Sequence, residues 1–83
     1  ENFLSILGDK ECMRILMCYT KRPYYLQELS RELDITPNRL RMYNSKFLDA
    51  GLIDFEYTNS RRYYYLNKDE VEKYFDMCKR MFR

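Results

Sequence analysis

The sequence predicts a mainly α-helical domain with a small β-hairpin, set between a helical core and a last helix. Three observations predict it. Apolar residues recur at three- and four-residue spacing over Cys12–Tyr19, Leu26–Leu33, Leu40–Ala50 and Val71–Phe82. Between the last two runs the period drops to two, over Ile53–Tyr57. Only two Gly and two Pro interrupt 83 residues, which leaves little room for long loops. This length makes one domain, 1–83. A chain of such size buries only about 60% of its unfolded surface, so a partner subunit would help it. A hydrophobic fraction of 46% and an aromatic fraction of 17% exclude a disordered chain.

Each element follows from its residues. Asn2–Leu7 carries Phe3, Leu4, Ile6 and Leu7, enough for a short apolar helix that Gly8–Asp9 breaks. Asp9 caps the next helix, whose buried stripe is Cys12, Ile15, Leu16 and Tyr19 and which Lys21-Arg22-Pro23 ends. Pro23-Tyr24-Tyr25 reads as extended. Leu26, Leu29 and Leu33 mark one face of a helix of about two turns. After the tight Asp34-Ile35 connection, Thr36 is an N-cap and Pro37 takes the first helical position, where its missing N–H costs nothing. That helix buries Leu40, Tyr43, Phe47 and Ala50, with Leu48 beside them, and stops at Gly51. Ile53, Phe55 and Tyr57 alternate with Asp54 and Glu56 as a half-buried strand. Thr58–Arg61 is a polar turn, and Arg62–Leu66 returns as the second strand, with Tyr64 facing opposite to Tyr63 and Tyr65. Asn67 caps the last helix, and Glu70 stands three residues on, as in a capping box.

Helix, short turn, capped helix, glycine stop and hairpin are the plan of a winged helix-turn-helix domain, a three-helix core plus wing with a C-terminal dimerisation helix. Residues 9–67 would form the core and wing, and 2–7 and 68–83 the dimerisation helices. The motifs Leu26-Gln27-Glu28-Leu29 with Leu33, Thr36-Pro37-Asn38-Arg39-Leu40, Leu48-Asp49-Ala50-Gly51-Leu52-Ile53 and Ser60-Arg61-Arg62-Tyr63-Tyr64-Tyr65-Leu66-Asn67 carry a resemblance. In this order they resemble prokaryotic winged-helix transcription regulators, especially the ArsR-like group and related small archaeal regulators. The resemblance implies sequence-specific binding of double-stranded DNA, with helix 37–50 in the major groove. It also implies a wing near 58–62 on the backbone or minor groove. Asn44 departs from the pattern, because a Leu is usual there. A buried amide without a partner is costly, so Asn44 is expected to be either partly exposed or hydrogen-bonded.

The charge pattern supports the same function. A formal net charge of +2 says little, but its placement says more. From Thr36 to Leu48 there are three basic residues and no acidic one. The face opposite the apolar stripe presents Asn38, Arg39, Arg41, Met42, Ser45 and Lys46. Arg suits guanine and Asn suits adenine. Thr36 and the helix amino terminus can hold a phosphate. Arg61 and Arg62 form a second basic site at the hairpin tip. Tyr24, Tyr25 and Gln27 open the first motif helix, another usual place for phosphate contacts.

Several function classes lack their residues. There is no His, no Gly-rich phosphate loop and no nucleophile beside a recognisable base, so no catalysis is expected. ArsR-like metal motifs place cysteines on the first motif helix, and residues 26–33 have none. Cys12, Cys18 and Cys78 lie in apolar helical patterns, where core packing is the expected role, so no metal or cofactor is expected. An odd cysteine count fits a reducing cytoplasm better than a disulfide framework. No apolar run approaches the roughly 20 residues of a membrane span.

The last helix carries more apolar surface than the core can cover. A two-fold homodimer is expected through Phe3, Leu4, Leu7, Val71, Tyr74, Phe75, Cys78 and Phe82. Such a dimer would read a pseudo-palindrome. The rival class is a winged-helix protein-interaction module that binds no DNA. A thiol- or ligand-responsive sensor is a third.

Overall fold

The computed structural model describes residues 8–81, and of residue 78 the backbone alone. The elements are α1 (Lys10–Tyr19), β1 (Tyr24–Tyr25), α2 (Leu26–Leu33), α3 (Pro37–Asp49), β2 (Ile53–Thr58), β3 (Arg61–Leu66) and α4 (Lys68–Met81). Phe3, Leu4, Ile6, Leu7 and Phe82, with the Cys78 side chain, lie outside the described residues.

Caps set the helix ends. The Asp9 carboxylate accepts from the N–H groups of Glu11 (2.8 Å) and Cys12 (3.1 Å), and these bonds, with Cys12's first, hold its pKa below the ordinary value. α2 ends on Asp34 in the left-handed region (φ 55°), and the buried Ser30 hydroxyl donates to the Ile35 carbonyl, closing the turn into α3. α3 ends at Ala50, and Gly51 takes φ +74° as the chain reverses into β2. At α4, Asn67 Oδ1 accepts from the Glu70 N–H at 3.5 Å, but the reciprocal half of the expected capping box does not form. The Glu70 carboxylate pairs instead with Lys73 Nζ at 3.1 Å.

The core sits where α1, α2, α3 and the sheet meet. Ile15, Leu29, Leu40, Phe47 and Leu52 are completely buried. Cys12 and Cys18 are buried with them, as the apolar pattern predicts. The expected hairpin is part of a three-stranded antiparallel sheet of order β1-β3-β2. The Tyr24-Tyr25 segment, read only as extended, pairs with Tyr64 and Tyr63. β2 and β3 join through Asn59 (φ 50°) and Ser60 (φ 64°), the two-residue turn whose positive φ angles match strand twist. Tyr64 faces the core, while Tyr63 and Tyr65 are half-buried on the other side.

Candidate nucleic-acid interface

Thr36 and Pro37 start the helix that carries the site. The Thr36 hydroxyl oxygen accepts from the Arg39 N–H at 3.3 Å, so the cap forms as the sequence predicts. Leu40, Tyr43, Asn44 and Phe47 turn inward. Asn38, Arg39, Arg41, Met42 and Ser45 are exposed, and Lys46 is half-buried.

That polar face divides in two. Asn38, Arg41, Met42 and Ser45 form the outward ridge, where Arg41 Nη1 donates to Asn38 Oδ1 at 2.7 Å. Arg39 and Lys46, two turns apart, flank the Tyr43 ring, each with its cationic group 5.8 Å from the centroid. Arg39 is also engaged by α1. Its Nε and Nη2 donate to the two carboxylate oxygens of Glu11 at 2.8 and 3.0 Å. Arg39 is therefore ion-paired within the domain, to a partner 28 residues away that nothing in the local pattern announces.

Two adjoining open hollows run from this helix to the wing. One, of about 580 Å³, is lined by Tyr25, Gln27, Ser30, Arg31, Pro37 and Arg61. The other, of about 270 Å³, brings Tyr25, Leu26, Gln27 and Arg41 against Ser60, Arg61, Arg62 and Tyr64. Arg31, Arg41, Arg61 and Arg62 thus come from three elements to one concave face, and no carboxylate side chain lines either hollow. Aromatic rings fix the wing arginines. The Arg61 guanidinium lies 4.4 Å from the Tyr25 ring centroid, and Tyr25 meets Tyr63 edge-on at 5.5 Å. Arg62 donates to the Tyr57 hydroxyl at 2.6 Å and lies 4.5 Å from the Phe55 ring centroid.

Of the expected contact residues, Tyr25, Gln27, Arg41, Arg61 and Arg62 line this concavity, and Thr36, Asn38, Met42 and Ser45 are exposed on or beside α3. Tyr24 departs from expectation. It is buried, and its hydroxyl donates to Glu32 Oε2 at 2.8 Å. Strand pairing turns Tyr24 inward while Tyr25 stays at the surface. Sequence reasoning missed Arg31, although it stands one turn beyond Gln27 on α2, a spacing that puts both on one face.

The described thiols, those of Cys12 and Cys18, are buried. Cys18 Sγ lies 3.7 Å from Glu32 Oε2, and burial first, then this carboxylate, raises its pKa, which disfavours the reactive thiolate. Among the described residues, no cluster of three or more His, Cys, Asp or Glu could hold a metal ion. Among them, too, no helix is long and apolar enough to cross a membrane.

These features define a winged helix-turn-helix domain with an arginine-lined face. The fold is shared with an ArsR family transcriptional regulator of known crystal structure. The TM-score is 0.71 at 17% sequence identity, over 95% of this chain and 84% of that one. No protein-family model and no curated protein matches the sequence.

Proposed function

We propose that this protein is a sequence-specific, double-stranded-DNA-binding transcription regulator, acting in the cytoplasm as a homodimer with no cofactor and no chemistry of its own. One observation carries this reading. Arg31, Arg41, Arg61 and Arg62 converge from α2, α3 and the wing on a concavity with no acidic lining residue. Phosphate neutralisation by Lys and Arg supplies most of the affinity for a duplex, and an acidic group in the groove would oppose it. The ridge Asn38, Arg41, Met42 and Ser45 would enter the major groove, where Arg and Asn have base-specific partners. Arg61 and Arg62, held by aromatic rings, would rest on the backbone or minor groove beside it. The likeness in fold to a transcriptional regulator supports the same reading.

The dimer would form through the terminal segments 2–7 and 68–83. Val71 and Tyr74 pack against the protomer's own core, and the Tyr74 hydroxyl donates to the Ala50 carbonyl at 3.0 Å. Contact with the second protomer therefore falls to Phe75 and, where α4 runs past the core, to Met77 and Met81, all three exposed.

The test is fluorescence anisotropy on mixed-sequence duplex across a salt series, for the native protein and for Arg41→Ala/Arg61→Ala. A dimer making about six to ten phosphate contacts loses roughly 10³–10⁵-fold in affinity between 50 and 200 mM salt. The variant should bind more weakly and with a shallower salt slope, by about 0.9 for each phosphate that it no longer neutralises. No binding by the native protein at low salt would overturn the reading in favour of a protein-interaction module.

A further inference from the structure

Glu11 reaches from α1 to the recognition helix. Asp9 caps α1, and the first turn of that helix projects Glu11 toward the amino-terminal turn of α3. There the carboxylate meets Arg39 oxygen to nitrogen at both positions, the paired geometry that fixes an arginine most firmly. The pair sits at the surface, with the Arg39 side chain 59% exposed and that of Glu11 24% exposed. Tyr43 backs the guanidinium from the helix side. The arginine nearest the start of α3 is therefore neutralised within the protein. Arg41, further round the helix, bonds a neutral amide, that of Asn38.

We propose that Glu11 is a specificity-determining residue of the DNA interface, withholding the Arg39 charge from non-specific phosphate contact. The inference rests on the DNA-binding reading. Phosphate contacts bring affinity without sequence information. A regulator gains discrimination when a recognition-helix arginine can reach DNA only by giving up an internal carboxylate. Random sequence offers one phosphate in exchange, whereas a guanine edge held in register offers a bidentate contact. An intramolecular carboxylate at the same guanidinium thus weakens random-sequence binding more than binding to a matched site.

The experiment compares the native protein, Glu11→Gln, Arg39→Ala and Glu11→Gln/Arg39→Ala on mixed-sequence duplex and on a duplex selected from a random pool with the native protein. Circular dichroism checks that each variant is folded. Glu11→Gln should bind mixed-sequence duplex several-fold more tightly at 50 mM salt, with a slope steeper by about 0.9 for each Arg39 released onto a phosphate. Its preference for the selected duplex should fall. Arg39→Ala should leave the mixed-sequence slope at the native value, and the double variant should return to it. If the double variant binds as tightly as Glu11→Gln, Glu11 acts through overall charge and the proposal is wrong. It is also wrong if Glu11→Gln leaves mixed-sequence binding unchanged, or weakens binding to the selected duplex. A native protein that binds no duplex at low salt would remove the DNA reading and this inference together, whereas native binding that Glu11→Gln leaves unchanged overturns this inference alone.

Discussion

Asn44 occupies the inward side of α3, where a leucine is usual in the proteins the sequence resembles, and the structure resolves how an amide is accommodated there. It is 1% exposed, and its Oδ1 accepts from the Tyr19 hydroxyl at 2.9 Å. Its Nδ2 has no hydrogen-bond partner among the described residues. Burial raises the Tyr19 pKa well above its ordinary value, so the phenol remains a neutral donor at any physiological pH. The bond joins α1 to α3 across the core. Tyr19→Phe would leave the whole amide unsatisfied, at a cost of about 1–3 kcal/mol. Asn44→Leu removes the unpaired N–H but strands the Tyr19 hydroxyl, so its net effect should be smaller. The double variant Tyr19→Phe/Asn44→Leu replaces both partners by apolar groups and should be at least as stable as the native protein. Urea unfolding of the four proteins tests this. Equal midpoints for the native protein and Tyr19→Phe would mean that the bond contributes nothing.

At the scale of elements, the features legible in the sequence are those set within a few residues of chain. Asp9, Thr36-Pro37 and Gly51 announce helix ends because capping is a local hydrogen-bonding problem. The change of period after Gly51 announces strands because burial on one face of a sheet alternates. β1 was legible only as extended chain. Two residues are too few to show alternation, and its partner β3 lies some forty positions on. The same reason hides the Glu11–Arg39 pair, while the hollows gather residues from α2, α3 and the wing that no single stretch reveals. Gly51 gives the local side a direct test. A methyl group built on it would meet nothing closer than the Glu70 side chain at 3.8 Å, so space is no obstacle. Its φ of +74° is the obstacle. Gly51→Ala should destabilise the domain by about 1–2 kcal/mol through the backbone alone. A midpoint unchanged in urea would show that the chain leaves α3 by another conformation at no cost.

For the whole molecule, the open question is what covers α4. Its inner side is anchored by Val71 and Tyr74. Met77 and Met81 fall on the same side as Tyr74, yet they are 54% and 61% exposed because the helix runs past the end of the core. A second copy related by a two-fold axis would place the same surface against itself, the usual arrangement for small dimers. It would also set two recognition helices about 34 Å apart, in successive major grooves of one duplex face. The proposed dimer therefore predicts two linked effects of Met77→Glu/Met81→Glu. In sedimentation velocity the native protein should run as a dimer at micromolar concentration and the variant as a monomer. Circular dichroism should be unchanged, since neither methionine belongs to the core. On duplexes bearing one or two copies of a selected half-site, the variant should match the native protein on the single site. On the paired site it should lose about 10²-fold or more, the advantage that linkage confers on the second binding event. A native protein that sediments as a monomer and gains nothing from the second half-site would make this domain a reader of single sites, and the α4 overhang would then require a different partner.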